Sequence, residues 1–326
     1  MKILVRLPNW LGDMVMSVGF VNQLPQFFPG AEVSVVAKKG IHELLGNFPQ
    51  THHRFVFSKE EYPGLKGLWK FGKEISRKEK FDLFFCLPDS FSSAFMGLAT
   101  GAVRRIGYKK ELREVLLTNS YARPTNRHRV EEYIQLLELF TGRPAAAIDV
   151  SLQHSYQKRE QVVVNINSEA SSRRLTVPKA VEILTHLRNA IDQKIILIGA
   201  PREREFVEGV IELLPDKAGV ESVAGQTSLT DLMEILGSSR LMLTTDSGPA
   251  HLANALGTQT IVLFGAGDEN NTAPYNRQNR EVIRLGKLSC EPCRKNVCLR
   301  FETPQCLELL ETGAIVHSVM SYLHSK

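Results

Sequence analysis

An α/β protein with two doubly wound parallel-sheet domains is predicted by three features of the 326-residue chain. Apolar strand-like runs alternate with amphipathic helical stretches, a breaker-rich segment interrupts them near the middle, and the same alternation begins again beyond it. The length exceeds one ordinary domain and suits two of roughly 150 residues, each able to bury its own core. With 43% hydrophobic and 23% charged residues, the composition is that of a globular protein rather than a fibrous or disordered one.

Residues 2–7 read as the first strand, 13–28 as a helix, 32–37 as the second strand and 41–45 as a further helical stretch. Strands follow at 54–57, 82–86 and 104–107, with helices at 64–76 and 128–140. The run Thr141-Gly142-Arg143-Pro144-Ala145-Ala146-Ala147 carries breakers and small residues and reads as the linker, giving domains 1–150 and 151–326. In the second domain strands are expected at 161–166, 194–198, 219–223, 241–244 and 260–264. Helices are expected between them at 178–190, 201–213, 229–236 and 249–256. A last helix, 304–324, is long enough to cross back onto the first domain. Ligands of such sheets bind at the carboxyl ends of the strands, so a cleft between two facing sheets would bring two substrates together.

The net charge of +5 is concentrated in the first 150 residues, where 21 Lys and Arg face 15 Asp and Glu. Arg104-Arg105, Lys109-Lys110 and the trio Arg123, Arg127 and Arg129 suit an anionic substrate, an anionic membrane surface or ordinary solvated faces. No aromatic and basic interleaving points to nucleic acid. The apolar N-terminus is broken by Arg6, Pro8, Asn9 and Asp13 before a signal-peptide core forms, and no apolar run spans a bilayer. A cytoplasmic protein with at most peripheral membrane contact is expected.

Four of five cysteines cluster as Cys290-x2-Cys293-x4-Cys298-x7-Cys306, while Cys86 lies in an apolar strand and reads as core. In a reducing compartment the cluster is either a packed set of thiols or a metal site, although its spacing is not that of a common zinc module.

The strongest chemical signal is Thr244-Thr245-Asp246-Ser247-Gly248-Pro249-Ala250-His251, a buried strand turning into a helix. Backbone N–H groups at Ser247 and Gly248 would face an anion at the helix start, where the macrodipole favours negative charge by about 0.3–1 kcal/mol. Simple capping by Asp246 or Ser247 is the plainer alternative, and His251 is equally a packed core histidine. Hydride transfer on a dinucleotide is disfavoured, because no strand is followed by Gly-x-Gly-x-x-Gly.

These residues carry a broader resemblance. Leu7-Pro8-Asn9-Trp10-Leu11-Gly12-Asp13-Met14, Leu87-Pro88-Asp89-Ser90, Arg105-Ile106-Gly107-Tyr108, Ile198-Gly199-Ala200-Pro201, Gln226-Thr227-Ser228-Leu229 and the Asp246 block together resemble glycosyltransferase family 9, which includes the lipopolysaccharide heptosyltransferases. The cysteine-rich tail resembles the second-heptose subgroup of that family.

The resemblance implies the GT-B architecture, with a nucleotide sugar held by the C-terminal half and the acceptor by the N-terminal half. It further implies inverting, metal-independent transfer of heptose from ADP-heptose to the phosphorylated lipopolysaccharide inner core at the inner membrane face, with no cofactor. Asp13 is then the general base rather than a helix cap, and Asn9, Trp10, Gly12, Ser90 and Arg105 border the acceptor. Ser247, Gly248 and Ala250 hold the diphosphate, while Asp231, Asp246 and His251 contact the donor.

The chain departs from the family at Ser171-Ser172-Arg173-Arg174, where Arg173 or Arg174 replaces a lysine, and at Asn165-Ile166-Asn167-Ser168, where a His-Pro-Gly-like turn is usual. A family member with another sugar nucleotide or acceptor, and a non-catalytic nucleotide-sugar-binding protein, are the alternatives.

Overall fold

The computed structural model describes residues 1–326 except Glu111, Ser325 and Lys326. The chain forms two compact units, Met1–Gln153 and His154–Lys326.

In the first unit the elements run β1 (Lys2–Arg6), α1 (Leu11–Met16), α2 (Val18–Phe27), β2 (Glu32–Lys38), β3 (Arg54–Phe57), α3 (Gly64–Lys78), β4 (Leu83–Cys86), α4 (Phe91–Thr100), β5 (Arg104–Tyr108), β6 (Asn119–Tyr121) and α5 (Arg129–Thr141). The strands form one parallel sheet in the order β3-β2-β1-β4-β5-β6. Helices cover both faces of such a sheet, which is why its central strands read as continuous apolar runs. Ile3, Leu4 and Val5 of β1 are fully buried, and each contributes roughly 1.5–3 kcal/mol relative to exposure.

The second unit contains β7 (Arg159–Asn165), α6 (Val177–Ala190), β8 (Lys194–Leu197), α7 (Arg204–Glu212), β9 (Val220–Ser222), α8 (Leu229–Ser238), β10 (Ser239–Thr245), α9 (Gly248–Ala255), β11 (Gln259–Phe264), α10 (Glu269–Thr272), β12 (Arg280–Arg284), α11 (Gln305–Glu308) and α12 (Thr312–His324). Its sheet is again parallel, in the order β12-β11-β10-β7-β8-β9. Both orders are the 3-2-1-4-5-6 winding of dinucleotide-binding sheets, so each unit has a reversal point between its first and fourth strands. This is an α/β fold of the GT-B type.

Several elements differ from the sequence reading. The helix expected over 13–28 is two pieces, because Ser17 stays in a turn with its Oγ bonded to Met14 O at 2.6 Å. Helix α4 was not anticipated. Its Phe-Ser-Ser start and Gly97 obscure the pattern, yet Gly97 is what lets the helix approach the sheet. A Cβ there would stand 2.3 Å from the Phe84 ring. The edge strands β6 and β12 were also missed, being short, polar and half-buried.

The last helix breaks between Glu308 and Thr312, and Ile315, Val316, Val319 and Leu323 of α12 join the second unit's own core. The linker leaves α5 through Gly142 at φ 70°, then stays on the first unit. Ala147 O accepts from Gln23 at 3.0 Å, Asp149 O from Asn22 at 3.2 Å, and Asn47 O from Gln153 N at 2.9 Å. Among the described residues no helix is long and apolar enough to cross a membrane.

Candidate functional site

Each unit places its chemistry at its own reversal point. In the second, β7 and β10 pair with Asn165 opposite Thr244, so the loops leaving both strands emerge side by side. Asn165 Nδ2 donates to Ser247 Oγ at 2.9 Å, to Thr244 Oγ1 at 3.2 Å and to Asn167 O at 3.1 Å. Asn167 Nδ2 reaches Ile198 O at 3.1 Å, and Ser168 Oγ donates to Asp246 O at 3.2 Å. The Asn165-Ile166-Asn167-Ser168 stretch is therefore a side-chain network that ties three strand ends together.

That network draws the Ser247 hydroxyl backwards, and the side chain does not cap α9. Capping by Ser247 is thereby excluded in this structure. Pro249, just inside the helix, supplies no N–H, and Ala250 N bonds back to Ser247 O at 3.2 Å. The Ala250 N–H is thus used within the first turn of α9. The anion-facing part of the helix start reduces to the Ser247-Gly248 backbone. His251 is buried one turn further in.

Asp246 is 5% exposed, and its Oδ2 stands 3.2 Å from Arg173 Nη1. Burial pushes the Asp246 carboxyl up from its ordinary value, against the opposing pull of Arg173 and Arg284. Four buried polar atoms around this corner make no hydrogen bond: Asn167 Oδ1, Arg173 Nε, Arg174 Nε and Asp246 Oδ2. Buried polar groups are ordinarily satisfied, so their convergence on one loop cluster makes this corner the candidate site for a polar ligand.

Gly267 closes the far wall, since a Cβ there would stand 2.1 Å from Asp246 Oδ2. Arg284 holds that wall through Gly265 O at 2.8 Å, through Gly267 O, and through the Glu269 carboxylate. Neither Gly267 nor Arg284 was singled out from sequence. The available signal was a glycine three residues past a buried strand.

In the first unit Asp13 lies in the first turn of α1, whose N-cap is Trp10, and it caps nothing. Its side chain is 30% exposed; Oδ1 accepts from Tyr133 Oη at 3.4 Å and lies 3.8 Å from Arg129 Nε. Burial pushes the Asp13 carboxyl up, Arg129 and the Tyr133 hydroxyl pull it down, and Asp89 adds to the rise, leaving it above its ordinary value. Arg129 also pairs with Glu132 at 3.1 Å, and Arg123 bridges Asp89 at 2.6 Å and Glu132 at 2.7 Å. The basic trio noted in the sequence thus contributes two members to a charged cluster around Asp13. Tyr133 was missed, although Arg129, Glu132 and Tyr133 follow the spacing of one helix face.

Other expected site residues serve the scaffold. Ser90, expected to border the acceptor, is the N-cap of α4 and accepts from Ser93 N at 3.3 Å. Arg105, likewise expected beside the acceptor, donates from its guanidinium to Leu116 O and Ala102 O, both at 2.9 Å. Asp231 forms a capping box with Ser228, whose N–H it accepts at 2.9 Å, rather than offering that oxygen to a donor. Arg174 stacks over Phe206 at 5.3 Å and donates to Ser168 O at 3.1 Å, so Arg173 alone reaches Asp246. Asn9 accepts from the buried Arg6, while Trp10 is 62% exposed beside Gly12 and Asp13.

Comparison with known proteins agrees with this architecture. The Campylobacter jejuni lipooligosaccharide heptosyltransferase 2 (serotype O:2) is 22% identical over 99% of this chain and 98% of its own length. The Escherichia coli K12 lipopolysaccharide heptosyltransferase 2 is 27% identical over 87% of this chain and 88% of its own. The solved structure of E. coli ADP-heptose LPS heptosyltransferase II superposes with a TM-score of 0.84 at 23% identity, covering 99% of this chain and 98% of that one. E. coli heptosyltransferase WaaC, solved with ADP, gives 0.76 at 17% identity over 99% and 100%. The sequence profile of glycosyltransferase family 9 (heptosyltransferase) matches residues 68–302, and the chain belongs to that family of glycosyltransferases.

Proposed function

We propose that this glycosyltransferase moves heptose from ADP-heptose onto the phosphorylated inner core of lipopolysaccharide, with inversion at the anomeric carbon and Asp13 as general base. The observation that carries the reading is the state of Asp13, a recessed carboxylate at the reversal point of its sheet, capping no helix and held by Tyr133 and Arg129. Burial raises its proton affinity, which improves it as a base, while Arg129 keeps the ionised form accessible.

In this mechanism an acceptor hydroxyl gives its proton to Asp13 as its oxygen attacks the anomeric carbon from the face opposite the diphosphate. The bond to the diphosphate oxygen breaks, and ADP leaves with the electron pair. Arg173 and the Ser247-Gly248 backbone at the start of α9 balance the charge that develops there, without a metal in the chemical step. The unsatisfied Oδ2 of Asp246 accepts from a sugar hydroxyl. The named heptosyltransferase relatives and the ADP-bound neighbour support the choice of donor and acceptor.

A lipid-linked acceptor calls for contact with the inner face of the inner membrane, and the first unit carries exposed Leu65, Trp69 and Phe91 beside exposed Lys66 and Lys70.

The test is incubation with ADP-heptose and heptose-deficient lipopolysaccharide, read by mass. One added heptose is expected, and Asp13→Asn is expected to reduce turnover by about 10²–10⁴-fold with near-normal donor binding. No added heptose, with product from another sugar nucleotide, would reject the donor assignment; undiminished turnover in Asp13→Asn would reject the base.

A further inference from the structure

Four of the five cysteines, Cys290, Cys293, Cys298 and Cys306, line one small cavity in the second unit together with Ser172, Ala266 and Phe301. All four are free thiols, and the cavity of about 20 Å³ has room for a single ion-sized particle. Cys306 is 8% exposed on α11 and packs where a Cβ on Gly265 would stand 2.8 Å from its Sγ, so that glycine admits the sulfur. The other three come from residues 285–304, a stretch with neither helix nor strand.

Such a loop needs an organising element, and its polar groups supply only part of one. Glu291 is already taken by Gly286 N at 2.9 Å, Leu288 N at 3.3 Å and Arg284 at 3.4 Å, which leaves the sulfurs as the remaining donor set. Four thiolates on a divalent ion carry a net charge of −2. Lys287, Lys295 and Arg300 lie in the same stretch as Glu291 and Glu302, while Arg294 there pairs with Asp268, so the basic groups offset part of that charge.

We propose that Cys290, Cys293, Cys298 and Cys306 bind one thiophilic divalent ion, zinc or ferrous iron, as a tetrathiolate structural site that fixes the turn bearing Arg173. Four S–H groups lose their protons to solvent and four metal–sulfur bonds form. No three of the four sulfurs lie within 4.8 Å of one another, so binding draws them inward by moving loop backbone.

The link to Arg173 is direct. Between Cys293 and Cys298, Lys295 O accepts from Ser172 Oγ at 2.6 Å, and Asn296 O accepts from Ser172 N at 3.2 Å and Ser171 Oγ at 3.3 Å. Arg294 N bonds Ala266 O at 2.8 Å on the wall beside Gly267. The ion is thereby a positioning element and takes no part in the chemical step; only its effect on donor binding rests on the function proposed above.

The experiment is metal analysis of the full-length protein purified under reducing, chelator-free conditions, followed by stripping and titration with cobalt(II). About one equivalent of zinc or iron per chain is expected, with cobalt restoring a thiolate charge-transfer band that saturates at one equivalent. Cys293→Ser and Cys298→Ser should each lower metal content at least several-fold, and Cys86→Ser should not. Should those serine variants misfold, the cobalt titration of the unaltered chain decides. Less than a tenth of an equivalent of metal together with no cobalt–thiolate band, or pairing of the four thiols as disulfides in anaerobically prepared protein, overturns the site.

Stripped protein should bind ADP about 10-fold more weakly than the metal-loaded form, and equal affinity would overturn the positioning role. Failure of the metal-loaded protein to bind ADP at all would instead count against the donor assignment and leave the metal result standing.

Discussion

Asp246 and Arg173 face each other across 3.2 Å, one at the end of β10 and the other in the turn after β7, yet Asp246 Oδ2 and Arg173 Nε make no hydrogen bond. Their charges hold each other in place while their hydrogen-bonding capacity stays open. A ligand that offers phosphate oxygens to Arg173 and a hydroxyl to Asp246 completes both groups. A hydrogen bond to a charged group contributes about 1.5–3 kcal/mol. Arg173→Ala is therefore expected to weaken ADP binding by about 10–100-fold in titration calorimetry. Arg173→Lys should fall between, since a point charge replaces a planar fork. Arg174→Ala should lower the melting temperature through its lost stack on Phe206 and leave ADP affinity within about 2-fold. A larger effect of Arg174 than of Arg173 on ADP binding would reverse the assignment.

With Asp13 in the proposed role of base, the pH dependence of turnover follows its ionisation. Its carboxyl is raised by burial, so the basic form is lost at a higher pH than for an exposed aspartate as the medium is acidified. The acid limb of kcat/KM should accordingly lie above the usual carboxylate range near pH 4. Arg129 opposes the rise, so Arg129→Gln removes a favourable charge from the ionised form and should move the limb to still higher pH. Tyr133→Phe deletes a hydrogen bond to the same oxygen and should move it in the same direction by less. A limb that stays put in both variants would mean that a different group sets it.

The sequence made the two-domain α/β plan legible because both sheets are parallel and covered on both faces, which leaves runs such as Ile3-Leu4-Val5 and Val162-Val163-Val164 with no polar side. Asp13 and Asp246 were visible for a related reason, as Asp246 directly follows such a run and Asp13 stands in the helix that follows one, each at a reversal point. What stayed hidden depends on contacts distant in sequence. Tyr133 meets Asp13 across 120 positions, and Gly267 matters only because Asp246 packs against it. Nor does a basic residue in a strand, such as Arg105, reveal from sequence that its guanidinium is bonded to two carbonyls.

Gly267 provides a test that leaves every charged group intact. An alanine Cβ would stand 2.1 Å from Asp246 Oδ2 and 3.2 Å from the Phe264 ring, so the buried carboxylate has to move away from Arg173. Overpacking of this kind costs about 1–3 kcal/mol. Gly267→Ala is expected to fold with a lowered melting temperature and to lose ADP affinity about as much as Arg173→Ala does. The double variant should be little worse than either single one, because both act on one pair. Additive losses in the double variant would separate Gly267 from the Asp246 and Arg173 pairing.

The exposed aromatic face of the first unit leads to the remaining prediction. Trp69 is 40% exposed on α3, with Lys73 Nζ 4.9 Å from its ring centroid, and the Phe95 ring lies 5.6 Å away, itself 6.3 Å from that of Phe91. Helices α3 and α4 both begin at the carboxyl edge of their sheet, the edge that also bears Asp13, so apolar and basic groups sit at the edge to which the proposed function brings a lipid-linked acceptor. The full-length protein should sediment with vesicles of phosphatidylglycerol and phosphatidylethanolamine, and much less with phosphatidylcholine alone, since lysines contribute about 1 kcal/mol each near an anionic surface. Trp69→Ser combined with Lys66→Glu and Lys70→Glu should weaken that binding at least 10-fold and slow transfer to vesicle-embedded acceptor, while transfer to deacylated acceptor in solution is preserved. Equal loss on both acceptors would place these residues in the acceptor site itself, and unchanged sedimentation would remove them from the membrane contact.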